Sequence, residues 1–131
     1  MKTIRIISLL FFLFILWVIY LANTGNNSVF FDLVKSLPFG DKIGHFLLFG
    51  SLNFIGILSL KFKTLSFKAI KIYKATLFII LFVLIEEISQ NFIDNRTFDL
   101  VDLTADFIGI IFSSYLVKLL KNNFLKTKVS N

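Results

Sequence analysis

The chain has no cysteine, one proline, one histidine and few charges, with charged residues at 17% of its 131 positions. The missing cysteines exclude disulfides, a thiol nucleophile and a thiolate-held metal, and they leave the redox compartment open. HExxH, P-loop and nucleophile motifs are missing too, and a lone His45 with scattered acids is a thin basis for catalysis. No internal repeat or low-complexity tract interrupts the chain. What is abundant is apolar: 56% of the residues are hydrophobic, including 18 phenylalanines. At the length of one domain, spanning residues 1–131, this composition is too apolar for an ordinary soluble fold, and a bilayer is the fitting solvent.

Acids are also missing from three segments that hold eleven of the 14 basic residues. These are the start (Lys2, Arg5), a middle stretch (Lys61, Lys63, Lys68, Lys71, Lys74) and the tail (Lys118, Lys121, Lys126, Lys128). A nucleic-acid module carries its bases on a polar folded surface, so the formal charge of +6 does not indicate RNA or DNA as a partner. Lysine-rich loops free of acid follow the positive-inside bias of cytoplasmic segments.

Four apolar runs fit that scheme: about residues 4–22, 43–60, 75–93 and 100–120. The first, of ~19 residues, spans roughly 28 Å as a helix, close to the hydrocarbon thickness. A cleaved signal peptide is its rival, but the run is long for one and Leu21-Ala22-Asn23 is a poor cleavage site, so a retained helix is expected. Thr24 to Ser28 and Pro38 mark turns, with Val29 to Val34 between them apolar enough to lie along the interface. The lysine loop is expected as an amphipathic turn on the cytoplasmic surface. The expected fold class is therefore all-α, a four-helix transmembrane bundle with both termini cytoplasmic, in the inner membrane of a cell.

All eight acids then fall in the outer loops or outer halves of helices: Asp32, Asp41, Glu86, Glu87, Asp94, Asp99, Asp102 and Asp106. By helical rise, Glu86 lies ~17 Å from the cytoplasmic edge, and Asp106 and His45 lie ~8 and ~6 Å below the outer edge. Asp41 and His45 are i and i+4, as are Glu86 and Gln90, while Asp99, Asp102 and Asp106 form one stripe. A charge at the centre of a spanning helix costs about 2.5–3.5 kcal/mol, so such groups face inward and pair. Asp41, Asp94 and Asp99 are equally placed as solvated helix ends. Asp41 can cap the second helix, and Asp99 or Asp102 the fourth. The candidate binding set is Asp41, Lys42, His45, Glu86, Glu87, Gln90, Arg96, Asp99, Asp102 and Asp106, with Lys35 as a further nearby cation.

Three stretches carry a resemblance. Asp41-Lys42-Ile43-Gly44-His45-Phe46, Glu86-Glu87-Ile88-Ser89-Gln90, and Arg96-Thr97-Phe98-Asp99-Leu100-Val101-Asp102-Leu103-Thr104-Ala105-Asp106 with Gly109 occur in that order. Together they resemble the VanZ-like family of bacterial integral membrane proteins, over a region from Asp41 to the end of the fourth helix. Asp106 stands where many members carry asparagine, which adds a negative charge. The family takes its name from a protein associated with low-level resistance to the glycopeptide teicoplanin, an amphiphile of the cell envelope. The resemblance therefore implies a cell-envelope role.

Three function classes stay open on the residues alone. The polar pocket can bind or modify a lipid headgroup, a lipid-linked precursor or an amphiphilic drug, with Lys42 and Arg96 on its anionic groups. It can act on a phosphoester, with His45 as base and Asp41 as its orienting partner, Glu86 as a further catalytic candidate, and Glu86, Asp102 and Asp106 around a divalent cation. It can couple transport to ions, for which four short helices would need to assemble as a homo-oligomer and no acid in the inner halves completes a path.

Overall fold

The computed structural model describes residues 2–25, 29–94 and 96–129. Its helices are α1 (Lys2–Asn23), α2 (Val29–Ser36), α3 (Gly40–Ser59), α4 (Lys74–Ser89) and α5 (Leu100–Val129), with a 3-10 turn at Gln90–Phe92 after α4. α1, α3, α4 with its 3-10 turn, and α5 are long and apolar enough to cross a membrane, and the chain is a multi-pass membrane protein of all-α class.

The expected interfacial segment forms the short helix α2. It stops before Pro38, whose ring disfavours helical backbone at the preceding residue. Thr24 and Gly25 form a turn, and the rest of the expected turn, residues 26–28, lies outside the described residues. Phe39 reverses the chain with a left-handed φ of 56°, and Gly40 opens α3 against α2. A side chain at Gly40 would overlap the Val34 carbonyl, so the turn needs glycine there. Asp41 makes no capping hydrogen bond and lies one residue inside the helix, which corrects its expected role as cap. Asp99 does cap α5: its Oδ1 accepts from the Val101 N–H at 2.8 Å.

The lysine loop, expected as an amphipathic turn, is more regular than that. It holds an antiparallel hairpin of β1 (Thr64–Phe67) and β2 (Ile70–Tyr73), with Phe67 opposite Ile70 and Lys68 in a left-handed conformation at the turn. Period-two alternation of β-branched and aromatic residues with polar ones favours strands over four-residue stretches too short for an amphipathic helix. α5 also runs nine residues past its expected end at Leu120. The apolar run measures the membrane span, whereas Lys and Leu beyond it remain good helix formers in water.

α3 and α5 meet most intimately. A Cβ on Gly50 would lie 3.1 Å from the Gly109 carbonyl oxygen, and one on Gly109 would overlap that of Phe46. Small residues let helix backbones approach in a bilayer, where burial from water supplies no drive. The apolar core of Ile15, Phe49, Leu52, Ile79, Val83, Leu103 and Ile110 joins α1, α3, α4 and α5, and Phe12 of α1 packs edge-on to Phe82 of α4 at 5.3 Å. Below it, fully buried Asn53 donates to the Ile110 carbonyl (3.1 Å) and to Ser113 and Ser114 (2.8 Å each), and accepts from Thr76 at 2.7 Å. Every hydrogen-bonding group of that amide has a partner, as a polar side chain deep in an apolar bundle requires. The hairpin and the free ends of α1 and α5 lie at one end of the bundle, where Lys121 rests over the Phe62 ring at 5.2 Å.

Candidate functional site

The opposite end collects the C-terminus of α1, the first turns of α3, the last turn of α4 and the start of α5. Helical spacing aims Lys42 and His45 of α3 at the Asp99–Asp102–Asp106 stripe. Lys42 Nζ donates to Asp99 Oδ2 at 2.9 Å and to Asp102 Oδ1, and lies 3.4 Å from Asp41 Oδ2. His45 Nδ1 is 2.8 Å from Asp106 Oδ1, and its Nε2 is 3.7 Å from Asp102 Oδ2 and 4.0 Å from Asp41 Oδ1. Asp106 is 0% exposed, and its Oδ2 is buried with no hydrogen-bond partner among the described residues.

A second group sits on α4. Gln90 Nε2 donates to both oxygens of Glu86 (2.9 and 3.0 Å) and to Glu87 Oε2 at 3.2 Å. One neutral amide thus bridges two consecutive buried carboxylates. Glu87 Oε1 accepts the Asp99 N–H at 2.9 Å, which ties this group to the first. Arg96 reaches Glu86 Oε1 at 3.7 Å and donates to Asn23 Oδ1 at 3.2 Å, fastening the end of α1 to the loop before α5.

Between these groups and α1 lies a cavity of about 490 Å³. Ile15, Val18, Ile19 and Ala22 of α1 and Phe31, Val34 and Lys35 of α2 form one side, and Asp41, His45, Glu86, Gln90, Arg96, Asp99 and Asp102 the other. Of the ten expected residues, these last seven therefore line one space. Lys42 is spent on three carboxylates, and Glu87 and Asp106 stand behind the wall as buried supports. Asp32 and Asp94 are exposed and take no part. The α1 wall, Thr97 and Asn23 carry no motif that separates them from ordinary helix and loop residues.

Two expectations of the chemistry change. The group that orients His45 is Asp106 at 2.8 Å, not Asp41 at 4.0 Å. The carboxylates of Glu86, Asp102 and Asp106 do not form a common cation site, because Gln90 holds the first and His45 the last. Asp41, His45 and Asp102 instead bring one ligand atom each to within 4.8 Å of one another.

Asp99, in the loop ahead of α5, has a testable charge. The hydrogen bond from Lys42, followed by that from the Val101 N–H, holds its carboxyl below the ordinary 3.8. A lowered folded-state value stabilises the protein above the unfolded value, and this is lost as pH falls through the folded one. Thermal melts from pH 7 to pH 3 should show wild type above Asp99→Asn at neutral pH, with the gap closing below about pH 4. A gap independent of pH would show that the charge contributes nothing.

No family model, curated protein or solved structure matches the chain. The functional reading therefore rests on the geometry.

Proposed function

We propose that this chain is a VanZ-like protein of the bacterial cytoplasmic membrane, with both termini in the cytoplasm, whose outward cavity binds the headgroup of an amphiphile. Sidedness follows from the basic residues: Lys2, Arg5, the hairpin lysines and the α5 tail share the end of the bundle remote from the cavity. The observation that carries the reading is the cavity of about 490 Å³, lined by apolar residues of α1 with Leu48 and Phe49 of α3, and by a polar set of Asp41, His45, Glu86, Gln90 and the loop before α5. An amphiphile has that division in its own structure.

Lys42 is occupied by three acids and does not line the cavity, whereas Lys35 and Arg96 do, Arg96 with a looser partner in Glu86 at 3.7 Å, so these two are the cations that face an anionic group. Asp41 and Asp102 accept hydrogen bonds from amines or hydroxyls. The fitting headgroup thus combines a phosphate or carboxylate with several donors, as a lipid headgroup, a lipid-linked saccharide precursor or a glycopeptide-type antibiotic does. Modification of that headgroup is the second reading. It is favoured by one observation: buried Asp106 holds His45 Nδ1 and leaves Nε2 toward the cavity, the orientation a general base needs. Ion-coupled transport is disfavoured, since Leu52, Val83 and Ile110, farther along their helices toward the lysine-rich end than the cavity's polar groups, are buried and apolar.

The test uses purified full-length protein with phosphatidylethanolamine, phosphatidylglycerol, a polyprenyl phosphate and teicoplanin, read by native mass spectrometry and thermal melting. At least one ligand should raise wild-type stability, and Arg96→Ala should weaken its binding about tenfold or more, the loss expected for one charge-assisted contact. A panel that leaves the wild type unmoved, or that Arg96→Ala and Lys35→Ala bind as well as wild type, would refute the reading.

A further inference from the structure

The polar end of the bundle holds more acidic than basic side chains. Among the described residues, Asp41, Asp99, Asp102, Asp106, Glu86 and Glu87 gather there with Lys42, Arg96 and, on the α2 side of the cavity, Lys35 as the permanent cations. Glu86, Glu87, Asp102 and Asp106 are buried, where uncompensated charge is most costly. A bound cation would relieve that excess, and the orientation of the side chains shows where it fits.

Each of two carboxylates divides its oxygens between two directions. Asp102 gives Oδ1 to Lys42 and turns Oδ2 to His45 Nε2, while Asp41 turns Oδ2 to Lys42 and Oδ1 to His45 Nε2. Lys42 therefore grips the outer oxygens and aligns the inner pair. On the far side of the imidazole, buried Asp106 takes Nδ1 at 2.8 Å. With Nδ1 turned to Asp106, the ring directs Nε2 at the two inner oxygens, and an incoming cation would take the place of any proton there. Carboxylate–histidine support of this kind is the usual outer shell of a metal-bound imidazole. The separations from Nε2 to Asp102 Oδ2 and Asp41 Oδ1, 3.7 and 4.0 Å, are too long for hydrogen bonds. Ligands at ~2.1 Å from a tetrahedral ion lie about 3.4 Å apart, so the three atoms, now within 4.8 Å of one another, must draw together on a bound ion, which the exposed Asp41 side chain is free to do.

We infer that Asp41 Oδ1, His45 Nε2 and Asp102 Oδ2 form a binding site for one divalent transition-metal ion of the zinc or manganese type. One imidazole nitrogen and two carboxylate oxygens suit these ions better than magnesium or calcium, which prefer all-oxygen shells. All three ligand residues line the cavity, so the remaining coordination positions open toward whatever enters it. Asp41 is 66% exposed at the mouth and Asp102 10% exposed, which gives the ion a route from solvent. The site does not depend on the headgroup reading, because metal binding is measured without an amphiphile.

Full-length protein in detergent, stripped with a chelator and dialysed, is titrated with Zn²⁺ and with Mn²⁺ by calorimetry, and Co²⁺ is used as a spectroscopic probe. One equivalent should bind, and Co²⁺ should give visible ligand-field bands of a low-coordinate site. Asp41→Asn alters an exposed side chain and so keeps the fold, and it should weaken binding at least tenfold. Asp102→Asn should do the same, and His45→Gln should abolish the Co²⁺ bands. Asp106→Asn should weaken binding by about 10- to 100-fold through the imidazole. Asp94→Asn, an exposed acid outside the site, should bind as wild type. Absence of stoichiometric binding by the wild type would overturn the inference. So would wild-type affinity in both Asp41→Asn and Asp102→Asn, which would put the ion on other carboxylates.

Discussion

Gly109→Val is expected to destabilise the fold more than any change of a charged residue. Its side chain would enter the space of the Phe46 carbonyl on α3, where no rotamer can move aside. Relief requires α3 and α5 to separate, which also opens the Gly50 contact and draws Asp102 and Asp106 of α5 away from Lys42 and His45 of α3. Overpacking a core typically costs 1–3 kcal/mol, and a clash with backbone exceeds that, so about 3 kcal/mol or more is expected. Against a total stability of roughly 5–15 kcal/mol this is a large fraction. Monodisperse yield in size exclusion and the thermal melt should both fall sharply, with Gly109→Ala intermediate. A valine variant that purifies and melts like wild type would mean that these helices do not approach as closely as Gly50 and Gly109 imply.

Lys42→Met is the second large effect. One ammonium serves Asp41, Asp99 and Asp102, and its removal leaves Asp102, only 10% exposed, without its cation. Breaking a buried pair from one side costs about 3–5 kcal/mol. Lys42 is itself 28% exposed, so water reaches the site and about 2–3 kcal/mol is expected. The loss comes from the stranded carboxylate more than from the lost bond, so neutralising that carboxylate should restore part of it. Lys42→Met with Asp102→Asn should therefore be more stable than the two single losses added together, with a coupling of about 1–3 kcal/mol in denaturation. Strict additivity would show that the two side chains do not interact.

The helices were legible because each apolar run is long, and length with hydropathy decides a membrane span. The gathering of acids was legible from what the basic segments lack, since charge segregation orders the ends of a bundle before any contact is known. The i, i+4 spacing of Asp41 and His45 and the Asp99 cap could be read from the chain as well. Pairings across helices could not. Lys42 lies 57 and 60 residues from Asp99 and Asp102, and His45 lies 61 from Asp106. No local pattern states that Asp106 rather than Asp41 turns the imidazole, because this depends on how α3 meets α5 at two glycines. The hairpin was hidden for another reason. Its lysines dominate the composition of the segment, whereas its strands are only four residues each, and their alternation is short enough to pass for chance.

Asn53 has a consequence beyond its own hydrogen bonds. It stands eight residues along α3 from His45, about 12 Å by helical rise, and Ser113 stands seven along α5 from Asp106. A slip of α5 by one residue turns its face through about 100°. That rotation would pull both serines off the buried amide and, in the same movement, swing Asp106 off the imidazole. The rotational phase of the two helices is thus keyed twice, once at each level. A neutral amide far below the mouth helps to aim the ionisable groups above it, although it touches none of them.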